Sequence, residues 1–196
     1  MIIMKHINQE VLRKSFHLIF GIFFLSIIYF LGTEISFWII STIFIIGLIT
    51  SLLHRNGIKI PLFENIIFSI QRKHEEHLPG KAALMFFLAA IIVLYFFKDY
   101  QMIVLAALAV QIFADTAAAL IGKRFGKHII LSKKHYKKTL EGTLACFVVA
   151  IIVLFVFFPI EIAIVSAVIA TIIEFAPIND NLTIPVVLAF ALKLLL

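Results

Sequence analysis

The chain has 196 residues, of which 63% are hydrophobic and only 14% charged, with 21 Phe and a formal net charge of +6. A soluble domain is about 45–50% apolar and about 25% charged, so this chain has too few polar groups to cover a surface in water. Cys146 is its one cysteine, which excludes a disulfide scaffold. Disorder, collagen and soluble coiled coil fail on the same composition, and a mean hydropathy of +1.12 points to a lipid bilayer.

Seven apolar runs are predicted as spans: Ser15–Leu31, Ser36–Leu53, Ala82–Phe97, Gln101–Ile121, Thr143–Phe158, Ile160–Phe175 and Leu182–Leu196. Several fall short of the ~20 residues of a perpendicular crossing, so they borrow flanking residues or sit where the bilayer thins. The last also carries Pro185 and Lys193. The first reads as a span and not a cleaved signal peptide, because its basic lead is long and Gly32-Thr33-Glu34 is a poor cleavage site. Between the second and third runs, Pro61 opens a predicted amphipathic helix with Leu62, Phe63, Ile66, Ile67 and Ile70 on one face.

With seven spans, the N-terminus and the connections 54–81, 122–142 and 176–181 share one side. All but Lys98 and Lys193 of the 17 Lys and Arg fall there, which marks that side as cytoplasmic. We therefore expect an all-α integral membrane protein, a multi-pass bundle of about seven transmembrane helices with a cytoplasmic N-terminus. No repeat or linker divides residues 1–196, so one domain is expected. The basic loops suit anionic lipid or a polyphosphate; no nucleic-acid-binding signature appears.

Ionisable groups inside apolar runs mark function by default. Asp115 sits among small residues in Ala114-Asp115-Thr116-Ala117-Ala118-Ala119, about 10 Å of helix from Gly122; the alternative role is a simple ion pair with a loop cation. The connection that follows holds Gly122, Gly126 and seven Lys or Arg, then Thr139, Glu141 and Gly142. Glycines let backbone N–H groups approach phosphate, and cations supply counter-charge. Basic residues alone would also serve topology. At the start, Glu10, Arg13, His17 and Gly21 follow helical spacing and share one stripe. That stripe could clamp a phosphate or move a proton, or it could anchor the helix at the interface. Pro79-Gly80-Lys81 breaks the chain before the third run. Glu174 precedes Pro177, Asn179, Asp180 and Asn181, a set of oxygens suited to Mg²⁺ or, equally, to a capping turn. Walker A, kinase, hydrolase-elbow and zinc-protease patterns are absent.

These segments together resemble the membrane CTP-dependent lipid kinases, the family of dolichol kinase, phytol kinase and CTP-dependent diacylglycerol kinase. The resemblance covers nearly the whole chain. It lies in Arg13-Lys14-x-x-His17, Pro79-Gly80-Lys81-Ala82, and Asp115-x-x-Ala118-x-x-x-Gly122-x-x-x-Gly126-Lys127 with Lys138-Thr139-x-Glu141-Gly142. It ends in Glu174 with Asp180-Asn181-Leu182-Thr183-Ile184-Pro185. Each piece is short; all four in order are specific. The stretch from Asp115 to Gly142 is also similar to the CDP-diacylglycerol synthases, whose different C-terminal signature is not found here. The family motif often has Gly after Pro-Gly-Lys, where this chain has Ala82, and the chain lacks the long extra N-terminal spans of dolichol kinases.

The resemblance implies phosphoryl transfer from CTP, the co-substrate, to a lipid alcohol at the cytoplasmic face. The acceptor would be a polyprenol or dolichol, phytol or geranylgeraniol, or diacylglycerol. It implies Mg²⁺ on Asp115 with Glu141, Glu174 or Asp180, and nucleotide contacts from Lys81, Gly122, Gly126, Lys127, Lys138, Thr139, Glu141 and Asn181. Arg13, Lys14 and His17 would face the reacting groups, with Asp115. Membrane lipids are the expected surroundings, in a prokaryotic or archaeal cell membrane in preference to endoplasmic reticulum, and pairing as a homodimer is left open. The alternatives are cytidylyl transfer of the CDP-diacylglycerol synthase type and a small transporter; no paired halves support the latter.

Overall fold

A computed structural model describes residues 2–58, 78–133, 136–174 and 179–196. The predicted helix after Pro61 lies outside the described residues, as does Pro177. Among those described there are six helices: α1 (Ile2–Arg55), α2 (Lys81–Phe96), α3 (Gln101–Phe125), α4 (Leu140–Phe155), α5 (Ile160–Glu174) and α6 (Asp180–Leu195). A two-stranded antiparallel hairpin, β1 (Ile129–Lys133) with β2 (Tyr136–Thr139), joins α3 to α4. It departs from the all-α expectation, because Ile129-Ile130-Leu131 and Tyr136 are strand formers lying within a basic loop.

Straight, the 54 residues of α1 would reach ~80 Å, against a hydrocarbon core of ~30 Å. They do not run straight. Gly32 stands at φ 78, ψ 173, a conformation open to a residue without Cβ, and splits α1 into two arms. His17 meets Phe86 and Phe24 meets Phe87, while Phe37 meets Tyr95. Ser51 then donates to the carbonyl of Pro79 at 2.7 Å. The first arm thus runs parallel to α2 and the second returns beside it, so the chain reverses at Gly32, between the first two predicted spans. Gln101 secures the reversal by donating to the Ile28 carbonyl at 2.7 Å, and Thr33 donates to the carbonyl of Lys98.

Helix α3 is the hub. It packs against α1, α4 and α6, while α2, α6 and α5 continue the ring around it. Its buried face, Ile103 to Ala114, is almost wholly Ala, Val, Leu and Ile, and these small side chains allow close helix approach. Of the helices, α1 from Glu10 and all of α3 are long and apolar enough to cross a membrane; α2 and α4 are apolar but shorter. Several helix hydroxyls are satisfied inside their own helix: Ser26, Thr42, Thr50, Thr116 and Thr171 each donate to the carbonyl four residues back. Helix α4 starts three residues before the predicted span because Thr139 caps it, accepting from the Gly142 N–H at 3.3 Å.

This architecture brings the start of the first α1 arm, the N-terminus of α2, the C-terminus of α3, the hairpin, the C-terminus of α5 and the N-terminus of α6 to one end of the bundle. Among the described residues, Arg13 to His17, Lys81, Asp115 to Gly126, Lys138 to Gly142, Glu174 and Asp180 to Pro185 lie there.

Candidate active site

Two buried ion pairs organise that end. Lys14, 2% exposed, projects from α1 and donates to Asp115 Oδ2 on α3. Asp115 is thus paired with a cation, as the simpler alternative required, but the partner comes from a helix interior and not from a loop. His17 lies one turn along α1. Its Nε2 is 4.0 Å from the same oxygen, and its ring meets Phe86 edge-on at 5.6 Å. Arg13 donates to Glu10, whose second oxygen accepts from Lys123 of α3. At Gly21 a Cβ would come within 2.7 Å of Ile112. The predicted stripe therefore faces α3.

The second pair joins Lys138, at the end of β2, to Glu174 Oε1 at 2.8 Å and to the Glu174 backbone carbonyl. The buried Cys146 of α4 lies in the electrostatic field of both pairs, feeling Glu174, Asp115 and Lys138. Asp180 acts electrostatically on Lys14.

Sequence reasoning missed Gln111, which fixes α6. Fully buried on the face of Asp115 one turn away, it donates through Nε2 to Asn181 Oδ1 at 2.9 Å, and Asn181 Nδ2 donates to the Ala82 carbonyl at 3.3 Å. Asn181 ties the start of α6 to α3 and α2. An amide in an otherwise apolar run was the available signal. Glu10 with Lys123, and His128 with Glu141, are further pairs visible only in three dimensions.

The glycines read as a phosphate cradle have a packing role in this fold. A Cβ on Gly126 would lie 2.1 Å from the Gly122 carbonyl oxygen, and one on Gly142 would lie 2.8 Å from the Ala118 carbonyl oxygen and 3.1 Å from Gly122 Cα. They seat the α3 C-terminus against the α4 N-terminus at van der Waals distance. Because the obstacle is backbone, Gly142→Ala is expected to cost about 1–3 kcal/mol by overpacking, read as a lower unfolding temperature in detergent.

Glu141 stands apart from both pairs. It accepts from His128 Nδ1 at 2.8 Å and from the His128 N–H at 3.2 Å. Its own backbone N–H, then the His128 ring, hold its carboxyl down to about 2. A carboxyl held below its unfolded value stabilises the fold above the ordinary Glu range, and that contribution is lost as pH falls from ~4 to about 2. Glu141→Gln is expected to flatten the fall of unfolding temperature across this window, and an unchanged acid slope would contradict the assignment. Lys81 begins α2 and Lys127 follows α3; both are exposed at this end.

Mg²⁺ binds through one or two carboxylates, waters and substrate phosphate oxygens. Among the described residues, no three His, Cys, Asp or Glu side chains converge as a self-sufficient metal site. Asp115 and Asp180 have the oxygen chemistry for a metal whose remaining ligands come from phosphate and water. Beside Asp115, Arg13 Nε and His17 Nε2 are buried without a hydrogen-bond partner, at a cost of about 1–3 kcal/mol each. Both can meet phosphate or hydroxyl oxygens, so the donor set fits a metal-bound nucleotide.

A profile of the cytidylyltransferase family matches residues 1–192. An uncharacterised protein of Methanocaldococcus jannaschii is 29% identical over 188 residues, covering 94% of this chain and 93% of that protein. No solved structure matches the chain.

Proposed function

Because the chain belongs to the cytidylyltransferase family, which includes CDP-diacylglycerol synthase and dolichol-kinase-like proteins, we propose that it is a CTP-dependent lipid kinase. It transfers the γ-phosphoryl group of CTP to the hydroxyl of a membrane lipid alcohol, giving lipid phosphate and CDP. The observation that carries this reading is the seat of the α6 N-terminus. Asp180-Asn181-Leu182-Thr183-Ile184-Pro185, the ending that favours the kinase branch by resemblance, is tied through Asn181 to Gln111, one turn from Asp115 on α3, and Asp180 acts electrostatically on Lys14.

In this reading the two arms of α1 and the five other helices are seven membrane-spanning segments of one catalytic domain over 1–196. The N-terminus and the site face the cytoplasm of a prokaryotic or archaeal cell. Phosphoryl transfer asks for in-line positioning and neutralisation of oxygen charge. Asp115, with Asp180, would hold Mg²⁺, which neutralises charge on the phosphate oxygens when bound. Lys14, released from Asp115, and Arg13 through its unmatched Nε bind the reacting phosphoryl group. Lys127, Lys138 and Lys81 hold the rest of the triphosphate. The alcohol oxygen forms the new bond to Pγ, the bond from Pγ to the bridging oxygen of CDP breaks, and His17 Nε2 takes the hydroxyl proton.

Cytidylyl transfer is the rival within the same family, and the phosphorus attacked separates the two. Purified protein is incubated with CTP labelled at the γ- or the α-phosphate and a panel of geranylgeraniol, a polyprenol, diacylglycerol and phosphatidic acid. Label from the γ-phosphate in a lipid phosphate, with CDP released, supports the kinase. Label from the α-phosphate in lipid, with pyrophosphate released, overturns it.

A further inference from the structure

The connection between α3 and α4 exposes apolar side chains as well as charge. Phe125 is 59% exposed, Ile129 56%, Ile130 46% and Leu140 43%. Phe125 is the last residue of α3 and Leu140 the first of α4, so all four lie at the level where these helices end. Strands alternate their side chains between faces, but here the register breaks. Ile129 pairs with Thr139 and Leu131 with Lys138, leaving Ile130 as the extra residue of a β-bulge. A bulge re-aims side chains, and two consecutive isoleucines are left exposed. Lys123, Arg124, Lys127 and His128 are exposed around them, with the Arg124 guanidinium 5.5 Å from the centre of the Phe125 ring. An isolated two-stranded hairpin is marginal in water and needs a surface to lie on.

We propose that this hairpin is a membrane-surface wedge: Phe125, Ile129, Ile130 and Leu140 enter the headgroup region of the leaflet that α3 and α4 leave, while the exposed Arg124 and Lys123 engage anionic phospholipid headgroups. Apolar residues ringed by Lys and Arg are the composition that binds an anionic interface. A soluble acidic partner would match the cations but leave the bulge isoleucines in water. The wedge anchors the strand carrying Lys138 and Thr139, and through them the Lys138–Glu174 pair and the α4 cap. It rests on the reading of α3 and α4 as membrane-crossing helices.

The test uses the full chain with Trp38→Phe, so that a single new tryptophan reports. Ile130→Trp is the probe and Val148→Trp, on the exposed side of α4, the depth control. Each is placed in nanodiscs holding one copy, made of phosphatidylcholine with phosphatidylglycerol and carrying acyl chains brominated near the headgroup or deeper. The Ile130→Trp protein is expected to lose most of its emission to shallow bromines and little to aqueous acrylamide, with weaker bromine quenching when phosphatidylglycerol is omitted. Acrylamide quenching without bromine quenching at Ile130→Trp, while Val148→Trp responds to bromine, would overturn the wedge and leave the spanning helices intact. Escape of Val148→Trp from bromine at every depth would overturn the spanning reading and the wedge with it. Shielding of Ile130→Trp only in discs holding two copies would make the covering surface a second copy and would also overturn the proposal.

Discussion

Asp115→Asn is expected to reduce phosphoryl transfer at least about a hundredfold, roughly 3 kcal/mol of transition-state stabilisation at 1.36 kcal/mol per tenfold. The substitution keeps the shape and one acceptor oxygen but removes the charge that would hold a metal ion against the nucleotide. It also acts on stability. Lys14 is buried against Asp115, and removing one partner of a buried ion pair costs about 3–5 kcal/mol, because the other charge stays uncompensated. Asp180 attracts Lys14, but Arg13 repels it. The unfolding temperature should therefore fall together with activity. Near-normal turnover at saturating Mg²⁺ in folded protein would remove Asp115 from the chemistry.

Lys14→Met is expected to abolish activity to a similar degree and to destabilise less. The carboxylate left behind still has the Arg13 cation in its field, whereas the ammonium left by Asp115→Asn has only Asp180 and is repelled by Arg13. If Lys14 binds the reacting phosphoryl group, the loss falls on turnover at saturating CTP as well as on KM. A variant that lowers the unfolding temperature and leaves kcat intact would make Lys14 a structural counter-charge. Comparing the two single variants in one detergent tests this asymmetry.

The parts legible in the sequence are those that depend on neighbours along the chain. The gap between the predicted spans Ser15–Leu31 and Ser36–Leu53 holds Gly32, where α1 reverses. Asp115 stood out as a lone acid among alanines, and the stripe from Glu10 to Gly21 followed from helical spacing alone. What was not legible depends on residues far apart. Lys14 finds Asp115 across 101 positions, and Lys138 finds Glu174 across 36. No local pattern states either pairing, so the four carboxylates looked like one cluster when three of them hold different partners: Lys14, Lys138 and His128. The hairpin was hidden because its isoleucines lie in a run dominated by Lys and Arg. Gly122, Gly126 and Gly142 were read for their openness to phosphate, but the close approach they permit is that of one helix to another.

The central claim is that the Lys14–Asp115 pair binds the metal–nucleotide complex and is more than a clamp between α1 and α3. Replacing both charges by apolar residues separates these roles, since exchanging a whole buried pair for hydrophobic side chains is often neutral or stabilising by about 1–4 kcal/mol. The measurement is titration of Lys14→Met/Asp115→Leu protein with CTP and Mn²⁺, with the unfolding temperature recorded on the same sample. A folded protein, as stable as the parent, whose nucleotide affinity has dropped at least about a hundredfold, or roughly 3 kcal/mol, is the predicted result. Parental affinity for CTP and Mn²⁺ in that variant would contradict it.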